Sequence, residues 1–273
     1  MTSLVAPSEH SAGRAFDNIA ERYDDIFTHS LIGRAQRQAV WERIRQVFGP
    51  GDHVLEVNCG TGEDALFLSR HQVAVLACDA SEKMIGVARG RLLTENPSSP
   101  VEFHVLPIER LSELSRGRLF DGILSNFAGL NCVRDLVRAA GDFAAFVKPG
   151  GALLLCVSTR VCIWEILWFL SQGEPKKACR RWPGHARAAL GERVVEVHYP
   201  TIRHLRAVFA PWFSLRSTIG IGMSVPPSYM EAFVGRHPVL LRGMCNVDRL
   251  ICSWPIFRVL GDHVLLRLER TRA

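Results

Sequence analysis

From Gly51 onward, short apolar runs alternate with amphipathic stretches. Residues 52–57 (Asp-His-Val-Leu-Glu-Val) read as a buried strand, followed by a tight glycine turn and a helix over 64–70. A second strand is expected over 73–79 and a helix over 81–93, with Ser81 as its N-cap. Strands at 101–106 and 120–125 follow, then a helix over 135–147 closed by Lys-Pro-Gly-Gly, then a strand over 152–158. Strands alternating with helices imply βαβ crossovers and a parallel sheet.

After Ser158 the rhythm changes. Residues 164–170 (Trp-Glu-Ile-Leu-Trp-Phe-Leu) form a short apolar helix candidate, trailed by Lys176, Lys177, Arg180 and Arg181. A strand at 193–199, a helix at 201–209 and a strand at 213–221 come next. Pro226-Pro227 opens what reads as one long helical stretch, and residues 262–269 read as a last strand. Late strands separated by helix suit the antiparallel edge of a mixed sheet. The expectation is one integrated domain, with residues 1–158 as core and N-terminal helices and 159–273 as acceptor-binding cap and final strands.

Of the 273 residues 48% are hydrophobic and 22% charged, which excludes a disordered or fibrous chain. The longest near-apolar stretch, 152–170, is interrupted by Arg160 and Glu165, too soon for a spanning helix. The first ten residues lack the basic and apolar regions of a signal peptide, so a cytoplasmic location is expected. The eight cysteines contain no CxxC pair and no zinc spacing with His, so no metal site is expected and the thiols should be reduced and structural. Charge is unevenly placed: residues 1–159 hold 16 Lys and Arg against 19 Asp and Glu, whereas 160–273 hold 17 against 8.

The strongest motif is Val54-Leu-Glu-Val-Asn-Cys-Gly-Thr-Gly-Glu-Asp64, between a strand and a helix. Gly60 and Gly62 allow a sharp turn and close approach of a ligand. A nicotinamide dinucleotide fingerprint would need glycine at 58, 60 and 63, where the chain has Asn58, Gly60 and Glu63. Glu63 and Asp64 would also oppose a pyrophosphate at the helix N-terminus. S-adenosylmethionine, cationic and free of phosphate, suits such a turn better. Asp79, ending the second strand, is placed to accept hydrogen bonds from ribose hydroxyls; its alternative role is to cap the next helix.

Five segments together resemble the class I S-adenosylmethionine-dependent methyltransferases, in the branch of the ubiquinone/menaquinone methyltransferases. They are Phe16-Asp-Asn-Ile-Ala-Glu-Arg-Tyr-Asp24, the glycine turn, Leu76-Ala-Cys-Asp79 with Met84, Phe120-Asp-Gly-Ile-Leu-Ser-Asn126, and Val147-Lys-Pro-Gly-Gly-Ala-Leu-Leu-Leu155. The resemblance implies a Rossmann-like fold: a doubly wound, mostly parallel seven-stranded sheet with a helical C-terminal cap. It implies that Tyr23 closes over the methionine end of the cofactor, while Glu56 and the backbone through Asn58, Cys59, Gly60 and Gly62 hold its amino-acid portion. Asp79 would bind ribose, Ala80 and Met84 would pack on adenine, Ile108 would approach the adenine edge, and Asn126 and Phe127 would lie beneath the cofactor. The alternative for Met84 and Ile108 is that they are simply core. Two departures stand out: Asn58 replaces the first glycine of the family turn, and Pro107 replaces the acidic residue that usually reads the adenine amino group.

The region after Ser158 is the natural acceptor-binding part. Its large apolar side chains (Trp164, Trp168, Phe169, Trp182, Trp212, Trp254, Phe257) with nearby arginines suit a packed cap, a lid over an apolar or lipid-like acceptor, or peripheral contact at the inner membrane surface. Its basic excess would also suit RNA, but the arginines are interspersed with apolar residues rather than forming a separate nucleic-acid module. A non-catalytic cofactor-fold interaction protein is the remaining alternative. Of His185, His198, Tyr199, His204, Tyr229 and His237, none forms a recognisable catalytic dyad in sequence.

Overall fold

The computed structural model describes residues 11–115, 117–190 and 193–272. The N-terminal decapeptide, on which the expectation about a leader rests, lies outside the described residues. The chain opens with α1 (Ser11–Asp17), α2 (Ala20–Tyr23), a π-helical turn over Asp24–Thr28, and α3 (Leu31–Ile44). The alternating part is β1 (His53–Val57), α4 (Glu63–Arg70), β2 (Ala74–Asp79), α5 (Glu82–Glu95), β3 (Val101–Val105), β4 (Phe120–Ser125), α6 (Leu136–Phe146) and β5 (Val147–Ser158). Then follow α7 (Ile163–Ser171), α8 (Pro175–Ala178), β6 (His185–Leu190), β7 (Arg193–His198), α9 (Ile202–Phe209), β8 (Phe213–Ile221), α10 (Glu231–Gly235), α11 (Pro238–Ile251) and β9 (His263–Arg270).

Seven strands form one sheet in the order β3-β2-β1-β4-β5-β9-β8. β1 to β5 are mutually parallel, and β9 and β8 join antiparallel at the edge. This is the mixed sheet that the pattern and the resemblance imply. Side chains alternate across it: in β5, Leu153, Leu155 and Val157 pack with α6 and α9, whereas Leu154 and Cys156 pack with α3 and α4. Strands buried on both faces read as near-continuous apolar runs, which is why these strands are legible.

Helix starts follow local chemistry. Ser81 accepts from the Met84 N–H, and Ser30, Asp135 and Thr201 cap α3, α6 and α9 in the same way. The start of α3 has further partners from the cap: the Glu231 carboxylate accepts from the Leu31 and Ile32 N–H groups at 2.6 and 3.1 Å. A third apolar cluster joins Ile32 to Val225, Met230, Val234 and Leu241, with Trp164 and Trp168 against it.

Three expectations need correction. The stretch after Pro227 is not one helix but a 3₁₀ turn, α10 and α11, broken where Pro238 holds His237 at φ −134°. β5 begins at Val147, not 152: Lys-Pro-Gly-Gly lies within the strand at a register shift, with Gly150 at φ +81°. The strand at 193–199 does not enter the main sheet; β7 pairs with β6 as a separate antiparallel hairpin. All eight cysteines are free. Among the described residues no helix is long and apolar enough to cross a membrane.

Candidate active site

The strand order reverses between β1 and β4, and a crevice opens at their carboxyl ends, where doubly wound sheets bind ligands. A cavity of about 230 Å³ lies there. Its floor is made by Asn58, Cys59 and Gly60 after β1, by Asp79 and Ala80 at the end of β2, and by Asn126 to Gly129 after β4. Met84 lines it from α5, while Tyr23, Phe16 and Gly13 enclose it from the N-terminal helices. Gly13 is required by contact: a Cβ there would meet the Ala80 carbonyl oxygen at 2.5 Å. The roof is the hairpin, which contributes Ala188, Leu190, Val195 and Val197.

The floor is built from strained backbone. Four described non-glycine residues have positive φ, and Asn58 (55°), Phe127 (45°) and Ala128 (66°) are three of them, all lining the cavity. Asn58 thus takes the left-handed conformation of the glycine it replaces. Its amide lies 3.5 Å from the Ser125 hydroxyl, and its side chain fills the space that a Cβ at Gly129 would need. Gly62 (φ 78°) does not line the cavity; it lets α4 pack on Phe103 and Ala88.

Asp79 holds the start of the next helix and also lines the cavity. Its Oδ1 accepts from the Ser81 N–H at 2.8 Å and its Oδ2 from the Gly60 N–H at 2.9 Å, fixing the glycine turn against α5, and the carboxylate still faces the cavity. Burial raises its pKa, against the pull of those backbone donors. The N-terminal helix joins this corner: the Asp17 carboxylate accepts from the Ser81 hydroxyl at 2.6 Å and the Lys83 N–H at 3.1 Å.

Glu56 lies below the floor, 1% exposed, with its Oε2 lacking any hydrogen-bond partner. Burial, reinforced by the Asp64 charge, pushes its carboxyl well above the usual range. Tyr23 is pushed up to about 12, chiefly by burial. Ile108 packs in the core beside Leu111 and Leu136 and is not among the residues that line the cavity. Met84 is both core and lining.

Sequence reasoning missed Arg37. It lines the cavity from α3, with its guanidinium over the Phe127 ring at 4.8 Å and 2.7 Å from Asp64. Its Nε is buried without a partner. The available signal was an arginine on the buried stripe of α3, between Gly33, Val40 and Ile44 at helical spacing. Asp64 also accepts from Trp41 Nε1 at 2.6 Å and Asn126 Nδ2 at 2.9 Å. Glu63, the other carboxylate of that turn, is paired with Arg91, which also holds Asp24. The negative helix start expected at 63–64 is therefore compensated by two arginines.

Residues 54–151 match a family described as a methyltransferase domain. The demethylmenaquinone methyltransferase of Symbiobacterium thermophilum is 34% identical over 148 residues, covering 51% of this chain and 55% of that protein. The chain spans little more than half the length of the curated relatives it matches. Among solved structures, the [4+2]-cyclase SpnF aligns over 98% of both chains with a TM-score of 0.65 at 14% identity. The N-methyltransferase NodS of Bradyrhizobium japonicum, solved with S-adenosyl-L-homocysteine, aligns over 98% of this chain and 100% of its own, at 0.58 and 16%. At these identities the two structures show a shared fold.

Proposed function

We propose that this chain, whose residues 54–151 are a class I S-adenosylmethionine-dependent methyltransferase domain, moves a methyl group to a small apolar acceptor held under the β6–β7 hairpin. The observation that carries the reading is the two-sided cavity. Its floor offers polar groups suited to the cofactor, and among the described residues its roof offers the apolar side chains of Ala188, Leu190, Val195 and Val197.

The residues present fit the cofactor. Arg37 brings a guanidinium with an unpartnered Nε to the cavity, suited to a carboxylate. Glu56 holds an unpartnered carboxyl oxygen behind the glycine turn, suited to the neighbourhood of an ammonium group. Each Asp79 oxygen uses one backbone donor and keeps acceptor capacity for ribose hydroxyls. Ala80 and Met84 offer apolar surface to adenine, Tyr23 and Phe127 flank the methionine end, and the backbone of Asn58, Cys59 and Gly60 offers close approach. When bound, S-adenosylmethionine supplies an electrophilic methyl on a sulfonium leaving group.

The protein's part is to align the acceptor and keep water out. The aromatic contacts from Phe27 to Phe127 to His263 and the apolar hairpin supply the dry wall. Among the described lining residues Glu63 and Asp64 are ion-paired, and Tyr23 stays protonated at neutral pH. That supports an acceptor whose nucleophile needs no strong base, such as an amine or an already ionised enol or phenol.

The test is transfer of isotope-labelled methyl from S-adenosylmethionine into an extract of the source cells, with Asp79→Ala as blank. Label in the organic-soluble fraction is expected. Label in nucleic acid, or none despite bound cofactor, overturns the acceptor class or the transfer itself.

A further inference from the structure

α11 has two apolar sides, and only one is covered. Leu241, Met244 and Cys245 face the cluster around Ile32 and Val225. On the outer side Val239, Leu240, Val247 and Leu250 are 77%, 45%, 45% and 73% exposed. The strip continues past the helix into Trp254 and Ile256, 56% and 69% exposed. Leu240, Val247, Leu250 and Trp254 follow one another at seven, three and four positions, a spacing that keeps helical residues on one side. Scattered surface hydrophobes need no explanation, but a continuous strip does.

The surroundings are basic. Residues 232–261 contain four arginines and a single acid, Asp248. Asp248 is committed elsewhere, accepting from the Ser224 and Val225 N–H groups. Arg249 pairs with Glu42 at 2.8 Å, while Arg236, two residues before α11, and Arg242 within it are exposed. At 100° per residue Arg242 and Arg249 share one flank of α11, next to the apolar arc.

We infer that this face docks the protein on a bilayer surface containing anionic lipid, with α11 lying in the interface plane. An apolar arc flanked by arginines is the pattern of interfacial helices, and basic residues gain from the negative potential of anionic headgroups. Trp254 adds an amphipathic ring of the kind that sits at headgroup level. A second copy of this chain fits the face less well, because an isologous contact would bring the arginines of both copies into one interface whose single acid per copy, Asp248, is already committed. The sequence placed membrane contact on the Trp-rich segment after 163, but Trp164 and Trp168 pack inward against the cluster around Ile32. Docking does not depend on the identity of the methyl acceptor.

The experiment is co-sedimentation of the full chain with vesicles of phosphatidylcholine alone and of phosphatidylcholine mixed equally with phosphatidylglycerol. Binding to the anionic vesicles, weakened by salt, is expected. The triple variant Val247→Ser, Leu250→Ser, Trp254→Ser should lower the partition coefficient at least ~10-fold. Arg236→Gln with Arg242→Gln should lower it by about fivefold per arginine on anionic vesicles and little on neutral ones. The unfolding midpoint and cofactor affinity of these variants should match the parent, since the altered side chains are exposed. Absence of binding by the parent, or binding indifferent to both variants, overturns the inference. So does a parent dimer that the triple variant converts to monomer, which would assign the face to a second copy.

Discussion

The Arg37 guanidinium and the Asp64 carboxylate lie 2.7 Å apart, their side chains 7% and 5% exposed. Neither is a bystander: Arg37 covers the Phe27 and Phe127 rings, and Asp64 gathers Trp41 and Asn126. The pair therefore ties α3, α4 and the strained loop after β4 into one support beneath the cavity. Removing one partner leaves the other buried and unpaired. Arg37→Met should cost about 3–5 kcal/mol of stability in urea unfolding. Arg37→Lys should keep most of the stability yet weaken S-adenosylhomocysteine binding at least ~10-fold, because the planar fork is lost. Unchanged affinity for the Lys variant in a calorimetric titration would free Arg37 from the binding site.

Asp79→Ala removes two backbone hydrogen bonds and a charged acceptor. Cofactor affinity should fall at least tenfold, corresponding to about 1.5–3 kcal/mol. A titration with S-adenosylhomocysteine that gives the parent value would remove Asp79 from the site.

Glu56 should give the protein a characteristic pH response. Its folded pKa is raised by burial, so the folded state keeps a proton that the unfolded chain releases. That contribution to stability is complete below the unfolded value and is lost as pH rises through the folded one. Glu56→Gln is neutral throughout. The variant should therefore lose less stability than the parent as pH rises above the ordinary carboxyl range, measured as the difference in urea-unfolding free energy. Parallel curves for the two proteins would contradict the raised pKa.

In the cap, Glu165 is 1% exposed and holds both Arg180 and Arg181, while Arg181 also reaches Asp262 at 2.9 Å. Glu165→Ala should cost about 3 kcal/mol, because Arg181 stays buried with half its neutralisation gone. Replacing the whole buried network, Glu165→Leu with Arg181→Met and Asp262→Asn so that no carboxylate stays buried without a cation, should recover most of that loss in thermal melts. A triple variant no more stable than Glu165→Ala would show the network to be a net stabiliser.

At the glycine turn, Asn58→Gly should be nearly neutral for folding, since glycine adopts φ 55° more readily than asparagine. Gly129→Ala should destabilise by about 1–3 kcal/mol, because the new methyl meets the Asn58 side chain 2.4 Å away. In the Asn58→Gly background the Gly129→Ala penalty should shrink, and a double-mutant cycle on urea midpoints measures the coupling.

Legibility from sequence followed the range of the interactions. The strands of the doubly wound part were readable because each is a local apolar run bounded by a turn, and Ser81 because capping is local chemistry. Asp79, Asn58 and Asn126 were readable because the strand ends themselves place them at the crevice. Arg37 was not, since its place at the cavity depends on α3 packing against α4, and the pairing appears only with Asp64 beside it. The hairpin was half readable: β7 carries Val-Val-Glu-Val, but β6, His-Ala-Arg-Ala-Ala-Leu, has little strand propensity and is fixed by its partner. The break between α10 and α11 is written in Pro238, which cannot continue a helix and keeps His237 out of helical backbone.

The hairpin is closed at its base, where the Tyr199 N–H donates to the Gly184 carbonyl at 2.7 Å. Its strands pair with each other and with no strand of the large sheet. The hairpin is also tied to the segment after β4, where Asn131 Nδ2 donates to the His198 carbonyl at 2.6 Å and Arg134 pairs with Glu196. The inward Ala188, Leu190, Val195 and Val197 carry none of these ties. Under the proposed function, exchanging those four side chains would reshape the roof while the anchors, Asp79 and Arg37 stay in place, so acceptor preference and cofactor binding would answer to separate sets of residues.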